Sequence, residues 1–535
     1  MIPCNPRFHR RRFLLGGGAL FLAACGKSSG TSSQADPTGT SETVSTMGDM
    51  DMSAGTTTGS VVAGNATVGT VATDTSISTA GFNALWIPPT LTGTAFDLTI
   101  AAASKQFHDG DATTTIGYNG AEFWGPTLIM TKGSDVQLNV VNRLDEETTT
   151  HWHGFHIPAE MDGGPHQPIA AGATWSPSFE VKNNAATFWY HPHMHETTWS
   201  QMNRGAGGFI IVQDDEEAAL ALPRTYGVDD LPLMLTSRSF DVDNQLVLTD
   251  VTPYGDEMLT NGTLHAEVGL PAQLVRLRLL NAEIERAYRL GFDDGRTFHV
   301  IGTDGGLLNS PAPVTTLLMS PGERYEIVVD LGGDAIGAAV TMQSFNGGQA
   351  FGFPGGEDAG SGETFGSTLN NTTFDVLRIN VIAAVEGGIT ELPATLAANT
   401  YWTAADATST RSIEITDEGP GTPFTFDNVG YDMDTVAQRV VLDTVERWSI
   451  VNGRVFSHSF HIHDVQFSLV SRSTGEVAEH EKGWKDTVYV FMGETVEFVA
   501  RFDDFASDDH PFMYHCHMAN HEDEGLMGQF LVVES

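Results

Sequence analysis

The chain has 535 residues, room for about three domains at roughly 150 residues each. Charged residues make up 18%, hydrophobic residues 41%, and there are 57 glycines, a mixture that suits a turn-rich β protein better than a helical bundle or coiled coil. With 68 acidic against 27 basic side chains, the net charge of −41 argues against nucleic acid and against docking on anionic lipid.

The N-terminus reads as an address. Arg10-Arg11-Arg12-Phe13-Leu14 opens a short apolar stretch that ends at Leu22-Ala23-Ala24-Cys25. A basic segment followed by so short an apolar run is a signal peptide and not a membrane span. The arginine pair resembles the twin-arginine export motif, and the Leu-Ala-Ala-Cys segment resembles a bacterial lipobox. Residues 1–24 are therefore expected to be removed. Cys25 would then be lipidated, giving an exported periplasmic or cell-surface lipoprotein whose only membrane attachment is that anchor. No apolar run elsewhere approaches the roughly 20 residues needed to cross a bilayer. Residues 25–82 are mostly Ser, Thr, Gly and Ala and read as a flexible tether. Within it Met47, Met50 and Met52 form a thioether cluster, a candidate accessory copper site.

Beyond the tether, short alternating or β-branched runs are split by Gly, Pro, Asn and Asp. Asp135–Val141, Gly208–Val212, Leu274–Leu280, Arg324–Leu331 and Thr495–Phe502 are the clearest predicted strands. Many strands at short spacing predict an all-β chain of sandwiches or small barrels. An acidic, Ala-rich stretch at 214–222 and a second seam near 383–396 divide the chain into three domains, 83–222, 223–385 and 386–535.

Histidine carries the chemistry. Twelve of the 19 His fall in four short stretches: His151, His153 and His156; His191, His193 and His195; His458, His461 and His463; and His515, His517 and His521. In a strand, residues i and i+2 share a face about 6.5–7 Å apart, so each His-x-His pair can offer two imidazoles to one side. Imidazole suits copper, zinc, iron and nickel, and one added thiolate narrows the choice. Of three cysteines, only Cys516 lies in the body of the chain. With two His it could supply a blue-copper site. In an extended His515-Cys516-His517 segment the thiol and the two imidazoles face opposite ways, which would join that site to a histidine-bound cluster by a short covalent path.

The segments His151-Trp152-His153-Gly154, His191-Pro192-His193, His458-Ser459-Phe460-His461-Ile462-His463 and His515-Cys516-His517-Met518-Ala519-Asn520-His521 resemble the four copper-binding motifs of three-domain multicopper oxidases. The likeness to bacterial laccases and cuprous oxidases continues through Met161–Pro165, Leu259–Gly262, Gly305–Leu308 and Gly483–Val488. It implies three consecutive cupredoxin-like Greek-key β-sandwiches holding four copper ions. Cys516, His458 and His521 would bind type 1 copper, and His151 and His461 type 2. His153, His191, His193, His463, His515 and His517 would bind the type 3 pair. Substrate would give single electrons at type 1, and O2 would be reduced to water at the trinuclear cluster. Asp162 and Glu522, at the family's proton-relay positions, would supply protons. His156 and His195 match no ligand position.

Two departures bear on substrate. Where many bacterial relatives carry an axial Met, this sequence has Leu526, with Met527 next to it. Where cuprous oxidases have a Met-rich insertion, the stretch 416–434 is short and holds only Met433, and Arg454 and Phe456 replace an expected Asp and Met. The resemblance then favours phenols or aryl amines as electron donors, with Cu(I) oxidation for copper tolerance as the alternative and copper sequestration a weaker one. A monomer is expected.

Overall fold

The computed structural model describes residues 67–69, 79–247, 253–356, 366–417 and 423–534. Cys25, the arginine pair and Met47, Met50 and Met52 lie outside them. The described chain is almost entirely β, arranged as six sheets. No helix among the described residues is long and apolar enough to cross a membrane.

The sheets fall into three pairs, each closed over its own apolar core. Phe96, Leu98, Ile116, Leu138 and Ile210 lie in the first, Leu233, Leu277, Val300 and Ile327 in the second, and Trp448, Phe460, Phe498 and Phe530 in the third. One strand plan recurs three times. Ala95–Lys105 runs parallel to Asp135–Asn142, and Thr127–Thr131 parallel to Gly208–Gln213. Asp230–Arg238 and Leu274–Asn281 repeat the first relation, and Ala266–Pro271 and Thr373–Ile382 the second. Ser409–Asp417 with Thr444–Asn452, and Gln438–Val441 with Met527–Val533, repeat both again. Parallel neighbours cannot be joined by a tight hairpin, so the chain crosses between facing sheets in each unit. These are three consecutive cupredoxin-like sandwiches. Residues 83–87 belong to the central one: Asn83–Ala84 pairs with Ala266–Pro271, and Leu85 and Ile87 enter its core.

The alternation in the sequence positions the seams as well as the cores. On Leu274–Asn281, Val275, Leu277 and Leu279 face the central core. Arg276 and Arg278, on the opposite face, are buried too, because that face packs against the first sandwich. Arg278 bonds Asp230, Glu326 and Thr187 Oγ1, and Thr187 lies on strand Ala186–His191 of the first unit. A polar strand face that reads as solvated is here an interface lined with paired charges.

Candidate copper centres

Four strands bring the histidines together. His151–His153 pairs antiparallel with Ala186–His191, setting His153 opposite Trp189 and His151 opposite His191. In the third sandwich His458–Ile462 pairs with Phe512–Cys516, setting His461 opposite His515 and Phe460 opposite Cys516. Period-two alternation then sends Phe460 and Cys516 into the apolar core and His461 and His515 to the face turned toward the first sandwich.

His151, His153, His191, His193, His461, His463, His515 and His517 are all buried at that seam. They form close groups. His193 Nε2 and His463 Nε2 lie 3.1 and 3.3 Å from His515 Nε2. His517 Nε2 and His191 Nε2 lie 3.2 and 3.4 Å from His153 Nδ1. His151 stacks on His463 with ring centroids 4.0 Å apart, and His153 on His461 at 3.9 Å.

The opposite ring nitrogens fix the tautomers. His191 Nδ1 bonds the Pro192 carbonyl at 2.8 Å, and His515 Nδ1 the Cys516 carbonyl at 3.0 Å. His151 Nδ1 bonds the Asp162 carbonyl, and His461 Nδ1 the Asp486 carbonyl, each at 2.9 Å. A carbonyl only accepts, so each of these Nδ1 atoms carries the proton and each Nε2 presents a bare lone pair. Burial pushes His153, His191, His193, His463 and His517 well below the usual histidine range, and His461 down to about 4. These rings are neutral at pH 7. The neutral rings of His517 and His191, whose Nε2 atoms face His153 Nδ1 at 3.2 and 3.4 Å, repel it unless a cation or proton lies between them. The spacing matches an ion about 2 Å from each nitrogen. His151 Nε2 and His461 Nε2 have no hydrogen-bond partner at all. The donor set fits the imidazole-preferring metals, copper among them.

The thiol group is separate. Cys516 Sγ lies 3.6 Å from His458 Nδ1 and 3.7 Å from His521 Nδ1. Burial pushes the thiol up to about 12 and His521 down to about 3. Without a metal this is a protonated thiol beside two neutral rings; a soft cation would convert it to thiolate. Phe424 packs on both imidazoles, with centroids 4.6 and 4.9 Å away. Leu526 is fully buried in the same apolar cluster as Cys516, and its carbonyl accepts the Cys516 N–H at 3.0 Å. Met527 opens the next strand, opposite His515 and outside that cluster.

The two carboxylates singled out in the sequence each stand behind two rings. Asp162 Oδ2 accepts from His463 Nδ1 at 2.7 Å, and Oδ1 lies 3.3 Å from His151 Nδ1. Glu522 Oε1 and Oε2 lie 3.1 and 3.2 Å from Nδ1 of His193 and His515. Burial would raise both carboxyls. The adjoining rings outweigh it, holding Asp162 well below the usual carboxylate range and Glu522 near 2. His156 and His195 stay outside the groups. His156 meets Asp464 and Asp504, and His195 lies edge-on to Tyr431.

Several residues escaped the sequence reading. Asp486 Oδ1 lies 3.2 Å from His153 Nε2, and its carboxylate takes a bidentate bond from Arg324 at 2.5 and 2.6 Å. Glu285 of the central sandwich stands 3.5 Å from His521 Nε2. Trp189 stacks on His191 at 4.0 Å. Only the segment 483–488 drew attention to Asp486; Arg324 and Glu285 lie in stretches with no motif.

Comparison with known proteins places this arrangement. Two family models, each described as multicopper oxidase, match residues 99–217 and 403–535. The multicopper oxidase mco of Staphylococcus aureus is 30% identical over 448 residues, covering 82% of this chain and 89% of that protein. The chain belongs to the multicopper oxidase family. Among solved structures, a laccase-like multicopper oxidase CueO from Ochrobactrum sp. is 31% identical with a TM-score of 0.74, covering 84% of this chain and 100% of that one. The cell division protein FtsP of Escherichia coli is also similar, 31% identical over 83% of this chain and 92% of its own length. Membership makes the chain an oxidoreductase and implies copper, and the buried histidine groups are side-chain clusters that could hold a metal ion.

Proposed function

We propose that this multicopper oxidase is laccase-like, coupling one-electron oxidation of phenols or aryl amines to four-electron reduction of O2 to water. Cys516, His458 and His521 would hold type 1 copper, with Leu526 in the axial position. His151 and His461 would hold type 2, and His153, His191, His193, His463, His515 and His517 the type 3 pair. Bound copper would supply the redox chemistry: single-electron uptake at the thiolate site and O2 reduction at the three-ion cluster. The observation that carries the reading is the convergence of unprotonated ring nitrogens on three points, with a thiol and two imidazoles at a fourth.

The protein's own groups prepare that chemistry. The Pro192, Cys516, Asp162 and Asp486 carbonyls hold protons on Nδ1 and turn lone pairs inward. Asp162 and Glu522, ionised and buried, each brace two rings and are carboxylates through which protons would reach the cluster. Cys516 is bonded covalently to His515 and His517, and its carbonyl also accepts the His515 ring proton, so electrons have two short routes from the thiol.

Phenolic donors are preferred over Cu(I) because the type 1 edge offers little thioether. Phe456 packs against His458 and His521, and Arg454 pairs with Asp417. The Ochrobactrum relative, whose described activity is toward lignin model compounds, supports the same choice. Export by the residue 1–24 signal, anchoring through Cys25, copper capture by Met47, Met50 and Met52, and domain limits at 222 and 385 complete the reading. Oxygen uptake with a phenol and with Cu(I), measured side by side on copper-loaded protein, tests it. Uptake with neither refutes an oxidase; uptake with Cu(I) alone refutes the laccase-like assignment.

A further inference from the structure

A cavity of about 510 Å³ opens between the central and C-terminal sandwiches, within the size range of small-molecule sites. It has no part in the copper reading. Arg289 and Leu318 line it from the central unit, and Arg472, Tyr489 and Phe491 from the C-terminal one.

Beside three glutamates its lining includes donors left over. Arg472 is nine-tenths buried; its two terminal nitrogens bond Glu481, Glu494 and the Tyr489 carbonyl, but Nε has no partner. Arg289 Nε is also unpartnered, and the Arg289 guanidinium makes no ion pair among the described residues. The Tyr489 hydroxyl, beside Ser457, lacks a partner in hydrogen-bond geometry. Guanidinium nitrogens donate only, so whatever satisfies them must accept. The buried acids nearby are already engaged: Glu323 with Lys485 at 3.0 Å, and Glu481 with Arg472 at 2.5 Å. Glu476, at the rim, is exposed. A buried donor without an acceptor is destabilising, which favours an incoming one. Leu318 and Phe491, packed beside the Tyr489 ring, add an apolar wall.

We propose that this cavity binds a small organic monocarboxylate with an apolar body, its carboxylate taken by Arg289 and Arg472 and its hydrocarbon part laid against Leu318 and Phe491. Arg–carboxylate bonds are the strong, geometrically specific kind, and the wall selects an organic acid over an inorganic oxyanion. The site is joined to the copper seam. Tyr489 lies two residues along the strand from Thr487, whose hydroxyl is 3.2 Å from His461 Nδ1. Glu323 meets Lys485, which meets Asp304, which anchors Arg324 beside Asp486.

Isothermal titration of the purified copper-loaded protein with benzoate, and separately with inorganic phosphate, tests the proposal. Benzoate is expected to bind saturably at one site, phosphate not to. Arg289→Met, at the half-buried rim, should weaken benzoate at least tenfold, and the isosteric Tyr489→Phe a few-fold, with circular dichroism unchanged. Benzoate binding directly to copper would survive both substitutions, and that result overturns the proposal. So would the absence of saturable benzoate binding, or binding of phosphate in preference to benzoate.

Discussion

Arg324 is where the three sandwiches meet, and replacing it tests how the central unit, which contributes no histidine to the copper groups, supports them. All five guanidinium N–H donors are used. Nε bonds the Thr187 carbonyl of the first sandwich; Nη1 and Nη2 bond the Gly322 and Asp304 carbonyls of the central one; and both reach the Asp486 carboxylate of the third. Arg324 and Asp486 are both fully buried. Arg324→Met would leave the Asp486 charge in the interior with Thr487 Oγ1 and the His153 and His461 ring nitrogens near it. Breaking one side of a buried pair costs about 3–5 kcal/mol. On a cooperative unit of 150–250 residues that is a Tm drop of roughly 6–20 °C. Asp486 also steadies His153 and, through its carbonyl, His461, so copper content should fall along with Tm. Calorimetry and metal analysis of Arg324→Met, Asp486→Asn and the double variant give the pair's coupling. The double variant should lie close to the worse single one. A single-variant loss below about 1 kcal/mol, or strictly additive losses, would refute the reasoning.

Cys516→Ser should abolish the intense blue thiolate band and all turnover while leaving about three of four coppers bound, read by metal analysis and visible absorption. Asp162→Asn and Glu522→Gln should each slow reoxidation of the reduced enzyme by O2 roughly tenfold to a thousandfold, while anaerobic reduction by substrate keeps its rate; stopped-flow separates the two halves. Burial alone would lower His156, but Asp464 and Asp504 raise it to about 9. Burial also pushes the Asp464 carboxyl up to about 8, so the two titrate together, and their stabilising contribution is lost as pH climbs from 6.5 through 9. His156→Gln should flatten the fall of Tm over that interval. Leu526→Met should lower the type 1 potential by adding a thioether donor, and Met527→Leu should leave it unchanged; redox titration showing the reverse would place Met527 at the copper.

The β fold and the paired histidines sharing a strand face were legible in the sequence because both repeat with period two; which copper each ring would hold came from the family resemblance instead. Asp135–Asn142 alternates buried and less buried residues along its length, as its pattern predicts. His515-Cys516-His517 sends its thiol one way and its rings the other for the same reason. What the sequence hid are partners without local periodicity. Arg324 and Glu326 alternate with Tyr325 and Ile327 like any half-solvated strand, yet their face is buried against other sandwiches. Nothing within that strand marks Arg324 as the partner of Asp486, because a seam is made by elements far apart in the chain. Glu285 beside His521 is hidden in the same way. Such residues share one physical role. A ring nitrogen faces metal only if its other nitrogen is held, and in a buried site that grip must come from a carbonyl or carboxylate fixed by its own neighbours. For His153 the chain of support runs from Asp486 to Arg324 and on to Asp304 of the central sandwich. The middle unit thus shapes the copper seam without donating a ligand to it. On this argument, substitutions in its buried charges should alter metal occupancy even though they touch no proposed copper ligand.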